Sequence, residues 1–326
     1  MRNKINEPHA PVLVPHDNDN VGCCRAAVGS TILGSCGTLL ERFVSTAVFD
    51  LAPVGRYRLA RPPLVQALGQ IRYPVRARLQ TLDGVAPLQD RLLDLFPYMN
   101  QEQIQQVSLL VGPGMAPAGE AQTARTWRFT DDVGWTLIVA ADAATLSIGP
   151  QYGDFEEFRS RFATIVAALQ ETAGLPRCDR LGLRYVDITQ MPPGNDRAWR
   201  EWFRPELVGW GGGSIVAEGT NVVTSITQTQ LTAPPIGDLA GPPVDIQAIV
   251  RHGYIPANTM VPGILPEQVA NAAFLLDVDL FVEGHQPFDA EELPRQLTVL
   301  HDQIDRFFRW GLTPAGEAYF GLEEIR

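Results

Sequence analysis

Lysine is almost missing from this chain, in which Lys4 is the only one. The 37 Asp and Glu residues outnumber the 26 Lys and Arg residues, and the net charge is −11. Non-specific nucleic-acid binding rests mainly on the neutralisation of phosphate charge, so this balance disfavours a general DNA- or RNA-binding protein.

Cysteine is also scarce, and three of the four cysteines fall within the first forty residues: Cys23, Cys24 and Cys36, with Cys178 in the main body. This is not a disulfide framework, and it indicates a reducing compartment. The uncharged run Ala26–Leu40 is shorter than the ~20 residues that span a bilayer. Leu33–Cys36 resembles a lipoprotein cleavage box, but the leader before it has mixed charge, so a soluble cytoplasmic protein is the favoured interpretation.

Familiar catalytic and cofactor motifs are absent as well. There is no Gly-x-Ser-x-Gly elbow, and the glycine-rich Gly209–Ser214 follows a predicted helix where a phosphate cradle follows a strand. Asp17–Gly22 begins like a calcium loop but lacks the later ligands. Cys178 is interpreted as a buried structural thiol. Five possible ligands near the start lack metal-site spacing: His9, His16, Asp17, Cys23 and Cys24. We therefore predict no cofactor, metal or catalytic residue.

What is present divides the chain into three parts. Residues 1–58 lack clear periodicity and are predicted to be a poorly ordered extension with one short helix at Gly37–Phe49. The globular body is predicted to begin near Arg61. Two α+β halves follow, 59–191 and 192–326, with Pro192–Arg197 as the hinge between them.

In the first half, apolar periodicity and turn residues predict these elements in order: a strand at Leu64–Tyr73, a helix at Leu88–Tyr98, a loop at Gly112–Ala124, strands at Arg125–Thr130, Trp135–Ala140 and Thr145–Gly149, a helix capped by Asp154 and ended by Gly174, and a strand at Arg180–Ile188.

The same signals predict these elements in the second half: a short helix at Trp199–Leu207, strands at Val222–Thr232, Val244–Tyr254 and Ala272–Glu283, a long helix opened by Asp289 and ended by Gly311, and a last short helix capped by Thr313.

Each half thus ends its strands with a long amphipathic helix that starts with an Asp-x-x-Glu box. The alternation of the strands predicts an antiparallel sheet with one solvated face. The predicted fold class is α+β, with antiparallel sheets packed on long amphipathic helices, two pseudo-repeated halves and a helix-grip-like arrangement.

One predicted sheet face is rich in charge, and its residues are the candidate ligand face: Arg72, Arg180, Arg184, Gln247, Arg251, Asp277, Asp279 and, from the last long helix, His301. Guanidinium groups arranged on such a face suit a polar or anionic ligand. The alternative is an ordinary solvated face with weak cross-strand ion pairs, which antiparallel sheets commonly present.

Several segments resemble an uncharacterised, sporadically distributed bacterial protein family. They are Pro62–Ala67, Phe155–Phe158, Arg180–Val186, Leu276–Asp279 and the segment from Leu300 to Thr313, and the resemblance covers residue 61 to the end. The family has no established activity, so the resemblance bears on the fold and implies no chemistry.

Two functions remain open on this sequence. The first is a non-enzymatic binding or regulatory module for a protein partner or a polar ligand, or a homodimer, with the tryptophans Trp199, Trp202 and Trp210 as possible contact residues. The alternative is an enzyme, such as a metal-dependent hydrolase, with an Arg/Asp site on the open sheet face. The absence of known motifs favours the binding module.

Overall fold

The computed structural model describes the residue ranges 47–107, 121–192, 194–195, 198–213, 215–217, 219–220, 222–235, 245–261, 264 and 268–325. Within them the strands are β1 (Tyr57–Leu59), β2 (Leu64–Arg72), β3 (Tyr98–Val107), β4 (Ala121–Thr130), β5 (Thr136–Val139), β6 (Ala143–Ile148), β7 (Arg177–Gln190), β8 (Ser225–Ala233), β9 (Ile246–Ile255), β10 (Ala273–Pro287) and β11 (Leu322–Glu324). The α-helices are α1 (Leu82–Leu92), α2 (Phe155–Ala173), α3 (Trp199–Trp202), α4 (Pro205–Val208), α5 (Glu292–Gly311) and α6 (Pro314–Phe320).

Nine of these strands form one sheet in the order β3-β4-β5-β6-β2-β7-β10-β9-β8, and β1 pairs with β11 in a second, two-stranded sheet. All of these pairings are antiparallel. The predicted α+β class with antiparallel sheets is confirmed. Strands β7 and β10 come from the two sides of residue 192 and are neighbours, so both predicted halves contribute to the same sheet.

Helix α2 forms where the capping signals predict it. The Asp154 carboxylate accepts a hydrogen bond from the Glu157 backbone N–H at 2.9 Å, and Gly174 ends the helix in the left-handed conformation with φ 58°. A Cβ at Gly69 would lie only 3.0 Å from the Phe158 ring. The glycine therefore lets α2 pack closely on β2.

Helix α5 also follows its sequence signals. Asp289 accepts hydrogen bonds from the backbone N–H groups of Glu291 and Glu292 at 2.8 and 2.9 Å, and the helix ends at Gly311. Its buried stripe lies against β7 and β10, and each large apolar side chain in it contributes about 2 kcal/mol of burial free energy. The stripe consists of Leu293, Leu297, Leu300, Ile304, Phe307 and Phe308.

Helix α1 differs from the prediction, which placed a helix at Leu88–Tyr98. The helix begins earlier because the Thr81 hydroxyl caps it, accepting from the Gly84 N–H at 3.2 Å. Pro87 lies inside the helix and removes a backbone donor without ending it. Tyr98 instead begins β3, a strand that the sequence analysis does not predict.

Strand β2 has an irregularity near its start. The register of β2 against β7 shifts between Leu64 and Gln66, which marks a bulge. Val65 therefore packs with Val186, on the face away from the helices, and not with the helix-side residue Ala67. This small apolar cluster contains Val186, Ile255, Val261, Val269, Ala273 and Leu275.

The predicted helix Trp199–Leu207 is two short helices, α3 and α4. Arg204 precedes Pro205 and has the extended backbone angle ψ 150°. A residue before proline is disfavoured in the helical region, so the first helix ends there. The second helix begins with the proline in its first turn.

Part of the predicted extension 1–58 belongs to the fold. The Phe49 ring lies 4.5 Å from the Phe307 ring of α5, and β1 pairs with β11, so the folded body starts before Arg61. Residues 1–46, with most of the predicted helix Gly37–Phe49, lie outside the described residues. So does most of the predicted loop Gly112–Ala124, whose last four residues are in β4.

Candidate functional site

Four adjacent strands, β2, β7, β10 and β9, carry the polar face that the sequence predicts. Alternate residues of a strand point to the same face, and residues directly opposite in register share it. The register thus brings seven of the eight predicted residues onto one surface, called the arginine face below: Arg72, Arg180, Arg184, Gln247, Arg251, Asp277 and Asp279.

Asp277 is the buried centre of the arginine face, with a side chain that is 0% exposed. Its Oδ1 accepts from Arg184 Nε at 2.7 Å, and its Oδ2 accepts from Arg184 Nη2 at 2.9 Å and from Arg251 Nη1 at 2.8 Å. Such charge-assisted, bidentate bonds are among the strongest in proteins. Both carboxylate oxygens of Asp277 are therefore engaged in holding three strands together.

Asp279 and Arg180 form a looser pair. Arg180 Nη2 lies 3.3 and 3.4 Å from the two oxygens of Asp279, whereas Arg180 Nη1 donates to Gln70 Oε1 at 2.8 Å. Burial lowers the pKa of Arg180 and raises the pKa of Asp279, and in each case burial outweighs the attraction of the partner charge. Arg180 also lies directly opposite Glu283 of β10, whose charge raises the pKa of Arg180 as that of Asp279 does.

The position of the Arg180 guanidinium depends on Gly182. A Cβ at Gly182 would lie 2.9 Å from Arg180 Nη1, so the missing side chain leaves the space that the guanidinium occupies. There the guanidinium carbon is 4.2 Å from the centre of the Phe281 ring, in cation–π contact. The glycine and the ring fix Arg180 flat against the sheet.

Arg72 lies directly opposite Arg180 in the pairing of β2 with β7. Its nearest acidic partner is Asp142 at 3.8 Å, and its side chain is 52% exposed. Like charges placed directly opposite on antiparallel strands repel, and the charge of Arg72 lowers the pKa of Arg180. This effect is smaller than that of burial, and smaller than the opposite effects of the Asp279 and Glu283 charges, which offset the repulsion within the pair.

A cleft of about 260 Å³ opens over this pair. Its lining contains three arginines and one aspartate, together with polar and small residues: Leu68, Gln70, Arg72, Thr145, Arg180, Gly182, Arg184 and Asp279. Within a chain of net charge −11, the cleft is a local concentration of positive charge.

His301, the eighth predicted residue, is not on the arginine face. Its Nδ1 lies 3.0 Å from the Tyr185 hydroxyl, and its ring stacks on Phe155 at 3.8 Å. Tyr185 points to the helix side of β7, so His301, a residue of α5, packs against the side of the sheet opposite the arginine face. Burial lowers the pKa of His301 to about 4, which makes it a neutral packing residue at neutral pH.

Gln247 lies opposite Phe281 on the arginine face but does not line the cleft. The lining residues that the candidate set omitted include Gln70 and Thr145, which share a hydrogen bond of 3.1 Å between Gln70 Nε2 and the Thr145 hydroxyl. Thr145 stands in an alternating strand of small and polar residues, and that alternation is the signal that would have included it.

The three tryptophans considered as contact residues separate in the structure. Trp199 and Trp202 are buried, and they stack on Tyr254 and Tyr319 respectively. Trp210 is 81% exposed. Only Trp210 is therefore available to a partner.

The described ranges contain no group of three or more His, Cys, Asp or Glu side chains placed to hold a metal ion, and the five N-terminal candidates lie outside these ranges. In the same part of the chain, no helix has the length and apolar character that crossing a bilayer needs. Cys178 is a buried free thiol whose pKa burial raises to about 12.

No protein-family model matches this chain, and no curated protein matches it either. The resemblance to a sporadically distributed bacterial family therefore stays an expectation, and the geometry of the arginine face carries the functional argument.

Proposed function

We propose that this protein is a non-enzymatic binding or regulatory module that holds an anionic group of a protein partner or polar ligand on the arginine face. The observation that carries the proposal is the opposed pair Arg72 and Arg180 on neighbouring strands, both of which line the cleft. Their acidic neighbours are Asp142, 3.8 Å from Arg72, and Asp279, 3.3 Å from Arg180, with Glu283 opposite Arg180 on β10. An anion between two guanidinium groups gains charge-assisted hydrogen bonds and removes their repulsion.

The dimensions of the cleft support a small anionic group as the occupant. Pockets for drug-sized ligands measure roughly 300–1,000 Å³, and this cleft is smaller, at about 260 Å³. A carboxylate side chain of a partner or a phosphate group suits such a volume. The shape of the guanidinium groups also suits planar or tetrahedral oxyanions, which accept two parallel hydrogen bonds.

The metal-dependent hydrolase is the weaker candidate. It requires the carboxylates of Asp277 and Asp279 as ligands or as acid and base groups. Both oxygens of Asp277 already accept hydrogen bonds from Arg184 and Arg251, and its side chain is fully buried. Those contacts support a structural role for Asp277, which leaves Asp279 alone of the two predicted carboxylates for acid–base chemistry.

The finer fold prediction also belongs to this proposal. We infer that the halves are pseudo-repeated and that the sheet holds its long helices in a helix-grip-like arrangement. In support, α2 and α5 both start beside an aspartate whose carboxylate accepts backbone N–H groups. Both helices also pack on the side of the sheet opposite the arginine face.

Binding of inorganic phosphate and of a polyglutamate peptide tests the proposed function. We expect both probes to raise the melting temperature of the protein, and Arg72→Gln to weaken binding about tenfold through the loss of one charged hydrogen-bond donor. Arg72 is half exposed, so this change leaves the fold intact.

Arg91→Gln is the matched control, because Arg91 is an exposed arginine of α1 whose partner is Glu171. This control is expected to bind both probes as the wild type does. Binding that Arg72→Gln leaves unchanged, or no binding of either probe, would contradict the arginine face as an anion site.

A further inference from the structure

Strand β8 is an edge of the nine-stranded sheet and is uncovered on both faces. The five consecutive residues Ile226–Gln230 are all exposed. Successive residues of a strand point to opposite faces, so among the described residues neither a helix nor a loop covers this stretch on either side. Its neighbour β9 is mostly buried, which shows that the covering layers of the sheet end one strand earlier.

The outer edge of β8 has none of the usual protections. In the described part of the chain β8 pairs with β9 alone, so its other side presents backbone donors and acceptors. Proteins commonly protect such edges with charged residues, proline or bulges. The sequence Ser225–Ala233 contains no charged residue and no proline, and its pairing with β9 runs without a register shift.

Exposed apolar side chains lie next to this strand. Trp210 is 81% exposed and Val223 is 72% exposed. The turn that contains Trp210 lies against the start of β8, since a Cβ at Gly211 would be 3.8 Å from the Ser225 hydroxyl oxygen. Exposed tryptophan beside an open strand edge is typical of an interaction surface.

We propose that β8 pairs antiparallel with β8 of a second copy of this chain, about a two-fold axis at Thr229. Charge favours a second copy as the occupant. Each copy carries a net charge of −11, so two copies approach most easily through surfaces without charge. From Leu207 to Gly237 the sequence has a single charged residue, Glu218, and β8 has none.

The sequence of β8 is also self-complementary in this register. A two-fold interface brings the same patch from both subunits together. With Thr229 opposite its own copy, Gln228 of one subunit faces Gln230 of the other, and both glutamine pairs lie on one face of the sheet. The two nine-stranded sheets then form one continuous antiparallel sheet, and the open backbone groups of both edges are satisfied.

Sedimentation velocity and native mass spectrometry test the proposal, with the full chain measured across a wide concentration range. The variants follow a charge-swap design. In the proposed register, Gln228→Lys with Gln230→Lys places like charges opposite each other at two positions. Gln228→Lys with Gln230→Glu places opposite charges there. Both positions are exposed, and circular dichroism establishes that each variant is folded. Gln228→Lys removes the hydrogen bond that Gln228 Oε1 accepts from Arg251 Nε at 2.7 Å, but both double variants share this change, so their difference isolates the charge at position 230.

We expect a dimeric wild type, a dissociation constant raised about tenfold or more by the double-lysine variant, and a dimer retained by the lysine–glutamate variant. Thr229→Lys is a second test on the other face, since it places lysine opposite lysine at the axis and should also give monomers. A monomeric wild type, or a dimer that persists in the double-lysine and Thr229→Lys variants, overturns the proposal. Loss of the dimer in both double variants overturns the Thr229 register.

Discussion

Asp187 and Asp277 are both buried, and they illustrate two ways in which this sheet accommodates a carboxyl group. Asp277, on the arginine face, accepts hydrogen bonds from Arg184 and Arg251. Asp187 lies two residues beyond Tyr185 on the helix side of β7. There burial, with the nearby charge of Asp277, raises the pKa of Asp187 to about 8. At neutral pH the Asp187 carboxyl group is therefore protonated.

The raised pKa of Asp187 predicts a pH dependence of stability. In the unfolded chain this group releases its proton near its ordinary pKa of 3.8, and in the folded protein near 8. Between those values the folded state holds one more proton, so its stability falls by about 1.4 kcal/mol per pH unit as the pH rises. This contribution to stability is fully present below the unfolded pKa and is lost as the pH rises through the folded pKa.

Asp187→Asn removes this titration, so we expect the variant to gain stability relative to the wild type steadily from about pH 5 to about pH 8. Urea unfolding at a series of pH values measures the difference. Asp94→Asn, at an exposed aspartate just after α1, is the control and should follow the wild type. A difference between Asp187→Asn and the wild type that is constant with pH would contradict the protonated state of Asp187.

At the scale of elements, the pairing of β8 with β9 includes one very close backbone approach. Gly253 on β9 has φ 146°, and a Cβ there would lie 1.8 Å from the Ser225 carbonyl oxygen. Backbone atoms cannot move away as a side chain would, so this position requires glycine. The start of the open edge strand is set by this contact.

Gly253→Ala is therefore expected to lower the free energy of unfolding by about 2 kcal/mol or more. Hydrogen exchange should show the loss of protection first in β8 and in the facing part of β9. Gly55→Ala is the matched control, because a Cβ at Gly55 would meet nothing within 4 Å and its effect should stay within about 0.5 kcal/mol. Equal effects of the two substitutions would contradict the role of Gly253.

Elements with strong local signals are those that the sequence predicts well. Helices α2 and α5 have aspartate caps and glycine ends, and the turn at Asp131–Gly134 has an aspartate that accepts from three successive backbone N–H groups. Strand β3, with the sequence YMNQEQIQQV, has too few apolar residues to show alternation, and it is held by its pairing with β4. Such tertiary pairing leaves no local trace.

The candidate site shows the same division between local and tertiary information. The two-residue period of a strand assigned Arg180, Arg184, Asp277 and Asp279 to one face from the sequence alone. His301 was misplaced because a helix position does not reveal which layer of the protein it packs against. Arg184 is tightly paired with a carboxylate, whereas Arg180 is paired more loosely. This difference depends on Gly182 and on the strand order β7-β10-β9, which only the folded chain defines.

At the scale of the whole molecule, one continuous sheet joins the two predicted halves. Strands β7 and β10 are the longest strands and lie side by side across thirteen paired positions from Ala273 to Pro287. Asp277 adds a second link, because it bridges β7 and β9 through their arginines. Neither half buries its central strand without the other, so they should not unfold separately.

We therefore expect one cooperative transition when urea unfolding is followed by far-ultraviolet circular dichroism and by tryptophan fluorescence. Fluorescence reports on both halves, since Trp127 and Trp135 are in the first and Trp199 and Trp202 in the second. Asp277→Asn should shift the whole transition by about 3–5 kcal/mol, because it leaves Arg184 and Arg251 without their buried carboxylate. Asp94→Asn should leave it in place. Two separate transitions, in the wild type or in Asp277→Asn, would show that the halves are independent domains and that the shared sheet does not couple them.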